Sequence, residues 1–133
     1  MAIHIKPEIK ALKESIISTR RDIHQHPELA FDEHRTAQLV ADRLQSFGID
    51  VQTGVGKTGV VGILKGNGSG KTIALRADMD ALPMQESSDI SYKSKNDGVM
   101  HACGHDGHTA MLLGAAEVLS KKLDQLKGTV KFL

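Results

Sequence analysis

After Gly48 the spacing of apolar residues changes period, and that change decides which class of fold is open to this chain. Upstream the period is helical. Ile9, Leu12, Ile16, Ile17 and Ile23 recur along a face from Pro7 to Gln25, where Pro7 suits a first helical turn and Pro27 disfavours helix in the residue before it. A second amphipathic stretch, Glu33 to Phe47, places Ala37, Val40, Ala41 and Leu44 on one side and stops at Gly48. Downstream come short β-rich runs, GVVGILKG (59–66) and TIALRADMD (72–80), separated by NGSG. That turn signal predicts antiparallel neighbours. A third helix is expected from Gly107 to Leu123, and GTVKFL (128–133) reads as a strand. Helix, helix, two or three strands, helix, strand is the pattern of an α/β fold, a mixed sheet flanked by helices on its faces. A strand closing the sequence without a cap suggests the N-terminal portion of something longer, with an unpaired, association-prone edge at Val130–Leu133.

The chain's 133 residues make one domain of ordinary size. Charged residues are 25% of it and the net charge is +1 with both signs interspersed, which argues against a nucleic-acid surface. Aromatics are only 3%, so the core must be aliphatic. A single cysteine rules out an internal disulfide and fits a reducing compartment. MAIHIKPEIKALKES has no apolar core of signal-peptide type, and no stretch approaches bilayer-spanning length, so a cytoplasmic protein without membrane contact is expected.

GVGKTG (54–59) and GNGSGKT (66–72) imitate a phosphate-binding loop. The register fails, because Val51 and Lys65 stand where the leading glycine belongs, and a strand follows Lys71 where a helix is needed. RADMDALP (76–83) is of more interest: Asp78 and Asp80 alternate to the same side at the end of a predicted strand, where ligands of open α/β sheets gather. Solvated turn aspartates explain the same pattern. MHACGHDGH (100–108) puts three histidines and the only cysteine together. Cys103 and His105 can converge around Gly104, and thiolate with imidazole suits zinc, nickel or cobalt better than manganese. A catalytic thiol and a polar loop remain open alternatives on spacing alone.

RRDIHQHPELAFDE (20–33), Thr36, IALRADMDALPMQE (73–86) and GVMHACGHDGHTAMLLGAA (98–116) together resemble the dinuclear-metal amidohydrolases of the aminoacylase and carboxypeptidase group. Hippurate hydrolase, the N-acyl-L-amino-acid amidohydrolases and the indole-acetyl-amino-acid hydrolases form the similar branch. The resemblance implies the N-terminal part of a zinc-peptidase-like catalytic domain that hydrolyses N-acyl amino acids or small peptides. Two divalent cations (zinc, manganese, nickel or cobalt) and a homo-oligomeric full-length protein are implied with it. Cys103 and His105 match metal ligands, and Asp80 matches a catalytic aspartate that orients a metal-binding histidine in related branches. Asp78 stands where those branches carry that histidine. His101, Asp106 and His108 surround the ligands, the two histidines as hydrogen-bond partners; the resemblance assigns no role to His26, for which helix-end packing is the plain alternative, and leaves Glu86 between a loop anchor and a pocket group. The glutamate base, the remaining ligands and the dimerisation domain are expected beyond GTVKFL. An inactive metal-binding or oligomerising module, or a cysteine-nucleophile enzyme, are the competing readings.

Overall fold

The computed structural model describes residues 4–133; the opening three residues of MAIHIKPEIKALKES lie outside it. The first helical stretch is divided. A single turn, α1 (Pro7–Lys10), is followed by α2 (Lys13–Gln25), where one helix over 7–25 is expected from periodicity. At the junction the Leu12 N–H bonds to Ile9 O, an i−3 contact that tightens the turn and lets α1 bend toward the far end of α4 (His105–Ser120), where Lys122 pairs with Glu8 at 2.7 Å. The second stretch folds as α3 (His34–Ser46), within a residue of its expected bounds.

Four strands follow: β1 (Asp50–Val55), β2 (Gly59–Lys65), β3 (Thr72–Leu75) and β4 (Thr129–Phe132). Their order in the sheet is β1-β2-β4-β3, with β1 and β4 antiparallel to β2 and β3 parallel to β4. This corrects two expectations. β2 and β3 are not neighbours, because β4 lies between them. For the same reason Val130–Leu133 is no open edge; the exposed edges are β1 and β3, and on β3 Ile73 is 58% exposed.

Gly70 of NGSG, like Gly66 before it, serves close approach here, and the segment is not a two-strand hairpin. The Gly66 N–H bonds to Gly128 O and the Asn67 N–H to Leu123 O, so the loop crosses beneath the entry to β4. Gly128 has φ 91°, and a Cβ on it would come within 2.2 Å of Lys71 O. Gly128→Ala should therefore cost about 1–3 kcal/mol for the left-handed backbone alone, with the clash adding to it. A denaturant midpoint equal to that of the parent would show that the crossing is looser than this.

On β2, Val60, Gly62 and Leu64 face inward, and on β4 Val130 and Phe132 do so. Against that one face pack Ala41 and Leu44 of α3 and Leu113 and Ala116 of α4, with Ile49 closing the layer. The helices thus cover a single face, not both, while Val61, Ile63 and Lys131 line the opposite side. α2 forms a third layer on α4, close enough that a Cβ at Gly114 would lie 2.7 Å from Ile16 Cδ1. These layers bring the start of α4 beside the segment leaving β3.

Candidate metal centre beyond the carboxyl end of β3

β3 stops at Leu75, so Asp78 and Asp80 lie in the loop beyond it and not within a strand running to residue 80. The last sheet bonds run from the Leu133 N–H to Leu75 O and from the Ala77 N–H to Leu133 O. Two isolated bridges then catch the departing chain, Leu29 with Ala81 and Leu82 with Met100. The second holds RADMDALP against MHACGH. Gly104, at φ 85°, reverses the backbone in the left-handed region and caps α4, which begins at His105, two residues before the expected start.

His105 Nδ1 lies 2.9 Å from Asp80 Oδ1 and 3.0 Å from Asp80 O. Both partners are acceptors, so Nδ1 carries the proton and the Nε2 lone pair is left to bind a cation. A carboxylate behind the imidazole in this way fixes its tautomer and raises its basicity. Cys103 is a free, exposed thiol one glycine away. His105, Asp78 and Asp80 border a cleft of about 630 Å³ that extends past Thr109 to Phe31 and Thr58.

The other expected site residues go elsewhere. Asp78 borders the cleft but pairs at 2.7 Å with Arg76, both substantially exposed, while its carbonyl accepts from Thr109 Oγ1. Asp106 is fully buried and turns away from His105: it accepts from Arg20 Nε at 3.0 Å and faces His24 Nδ1 at 2.8 Å. His101 is buried with no hydrogen-bond partner on either ring nitrogen among the described residues, contrary to the hydrogen-bonding role expected of it. Burial pushes its pKa down, against the pull of Asp106. His108 is exposed, its ring 6.0 Å from that of His105. His26 packs a helix end, donating from Nδ1 to Asp22 O. Glu86 proves to be a loop anchor, accepting from the Ser88 hydroxyl and from the Ser94 N–H at 2.6 Å.

His24 is the residue that sequence reasoning missed. It is buried at the end of α2, between Asp106 and Glu86. The signal was its place seven residues, about two turns, after Ile17 on the inward stripe, which the neighbouring HPEL element obscured.

Burial disfavours the charge on Glu86, yet hydrogen bonds from Ser88, Ser94 and His24 outweigh it and hold the carboxyl below the usual range. Asp106 behaves alike, burial being overcome by His24, the Gly107 N–H and Arg20. Groups with depressed native pKa values contribute stability that is complete above their unfolded values and disappears as pH falls through the native ones. These two carboxylates should accordingly lower the melting temperature as pH falls below about 4, beyond the decline that a buried His101 with a lowered pKa begins below its unfolded value of about 6.5. An acid limb unchanged in Glu86→Gln and Asp106→Asn would contradict this assignment.

Among the described residues no three histidine, cysteine, aspartate or glutamate side chains converge to hold a metal ion. Cys103 and His105 stand on either side of Gly104 at the start of α4.

Residues 74–133 match the model of peptidase family M20/M25/M40. Thermostable carboxypeptidase 2 of Saccharolobus solfataricus is 52% identical over 130 residues, 97% of this chain and 33% of that protein. The N-acyl-L-amino acid amidohydrolase of Geobacillus stearothermophilus is 52% identical over 132 residues, 96% of this chain and 36% of that protein. The Bacillus subtilis YXEP protein, described as a dinuclear metal binding peptidase of the M20 family, superposes with a TM-score of 0.88 at 46% identity, covering 92% of this chain and 34% of that one. The chain spans about a third of the length of the relatives it matches. Residues 74–133 are thus similar to part of the peptidase domain of the M20/M25/M40 family, and nearly the whole chain is similar to about a third of its relatives.

Proposed function

We propose that this chain is the N-terminal part of the catalytic domain of a metal-dependent amidohydrolase that cleaves N-acyl amino acids or small peptides, and that Cys103 and His105 are metal ligands within it. The observation that carries the reading is the His105 ring, locked through Nδ1 by Asp80 with Nε2 free. The names of the relatives, a carboxypeptidase and an N-acyl-L-amino acid amidohydrolase, support an amide or peptide bond as the target. The donors fit a divalent transition metal, since a thiolate and a carboxylate-backed imidazole are soft to borderline ligands that favour zinc, nickel or cobalt over manganese. Bound divalent cations supply a water of lowered pKa and polarisation of the scissile carbonyl.

The chain's own part is to present the ligands. Asp80 keeps the proton of His105 at Nδ1 and thereby aims Nε2. Cys103, exposed and without a bulky neighbour on Gly104, can bind as thiolate. An exposed thiol ligand survives best where thiols stay reduced, which supports the cytoplasm as its compartment. Homo-oligomerisation of the full-length protein belongs to the same reading.

The test is Asp80→Asn in the full-length protein. The substitution keeps the shape of the side chain and removes its charge, so metal content should persist while turnover of N-acetyl or N-benzoyl amino acids falls by about 10–100-fold. Unchanged turnover would reduce Asp80 to a loop residue and remove the main support for the site.

A further inference from the structure

Both ring nitrogens of His24 end on carboxylates. Nδ1 is 2.8 Å from Asp106 Oδ2 and Nε2 is 3.2 Å from Glu86 Oε1, and all three side chains are at most 4% exposed. Ionised carboxylates only accept hydrogen bonds, so a ring that satisfies both donates from both nitrogens and carries a positive charge. Arg20 adds a second cation on Asp106, which leaves two positive and two negative groups in the cluster. Tyr92 meets the His24 ring edge-on at 5.7 Å between centroids and closes one side of it.

The two anions lie on the two segments that build the metal centre. Asp106 immediately follows His105 in the first turn of α4. Glu86 ends the ALPMQE run that starts just after Asp80, and its carboxylate also holds the Ser94 N–H of the returning loop. Between these segments run the Leu82–Met100 bridge, the His105–Asp80 contact and the Thr109 hydroxyl on Asp78 O, and the imidazole on α2 adds a buried link from Glu86 to Asp106.

We propose that His24, clamped between Glu86 and Asp106, is a positioning residue for the metal centre: it ties the Asp80 segment to the start of α4 and so sets how Asp80 meets His105. This rests on Cys103 and His105 being ligands, as argued above. A charged clamp has a directional advantage over apolar packing at this point. Two hydrogen bonds to fixed carboxylates define both the separation and the rotation of the segments, where a leucine would define only their contact.

The experiment uses the full-length protein and has two arms. In the metal-free protein at neutral pH, nitrogen-15 spectra of the histidine rings should show both nitrogens of His24 protonated, with protons protected from exchange. One unprotonated ring nitrogen overturns the clamp, whatever the metal does. In the second arm cobalt is bound to wild type, His24→Gln and Glu86→Gln, and the Cys103 thiolate–cobalt absorption band is followed. Both variants should bind cobalt about 10–100-fold more weakly and shift the band, whereas a merely structural residue would lower the melting temperature and leave the band of the folded fraction in place. Glu86→Gln preserves side-chain shape and carries this arm by itself if His24→Gln does not fold. A wild-type protein without a thiolate–cobalt band overturns the ligand reading. A wild-type band that both variants keep, at unchanged affinity, overturns the positioning role alone.

Discussion

Cys103→Ala in the full-length protein should lose most of its bound metal and nearly all of its hydrolytic activity together. A thiol bound to a dication is held as thiolate, and a methyl group in its place offers no electron pair at all. The position makes the experiment unusually clean. Cys103 is exposed, and substitutions at exposed positions away from caps and networks generally stay within about 0.5 kcal/mol of the parent. The metal-free variant should therefore unfold at the same denaturant concentration as metal-free wild type, so that lost activity is not lost folding. His105→Ala should also abolish binding, but it leaves Asp80 without its partner in the half-buried loop, and its effect mixes ligand loss with local rearrangement. Full metal content in Cys103→Ala by elemental analysis would refute the ligand assignment. Retained activity after exhaustive chelation would point instead to the thiol as a nucleophile.

What could be recovered from the sequence follows the range of the interactions concerned. α3 came out within a residue because its apolar stripe and Gly48 are local signals. The placement of β4 was not local. Val130 and Phe132 mark it as a strand with one buried face, but nothing in GTVKFL says that it enters between β2 and β3. NGSG carries the composition of a hairpin turn, and in the fold its Gly70, with Gly66 and Gly128 outside the motif, lets backbone segments pass close together. The site divides in the same way. His105 and Asp80 are brought together by the Leu82–Met100 bridge and the turn at Gly104, with Cys103 exposed one residue before that turn. Asp106, next to His105 in sequence, lies about 100° further round α4 and meets His24 and Arg20. Spacing along a loop places residues near a centre, and helix phase decides which of them face it. Phase could not be assigned until the helix was known to begin at His105.

The 133-residue chain, purified without the remainder of its relatives' length, should show no hydrolysis of N-acyl amino acids above background. Two donors on one short loop cannot offset the repulsion between two cations held close together, so a second divalent ion should bind weakly or not at all. A single cation at Cys103 and His105 could still acidify a water, but a carboxylate must take up its proton and return it to the leaving amine. The carboxylates around the cleft and on the loops beside it are committed elsewhere. Asp80 is held by His105 Nδ1, Asp78 by Arg76, and Glu33 by the Thr58 hydroxyl at 2.6 Å. Glu86 and Asp106 are engaged with His24 on the far side of α4. Lack of a positioned base costs roughly 10²–10⁴ in rate, and a weakly held metal lowers it further. The assay adds zinc, cobalt, nickel or manganese in turn and offers N-acetyl and N-benzoyl derivatives of several amino acids, with the full-length protein as the positive control. Metal-dependent turnover by the 133-residue chain would mean that one of these committed carboxylates leaves its partner to act as base, and Asp78, held only by a solvent-exposed pair, would be the first to replace by asparagine.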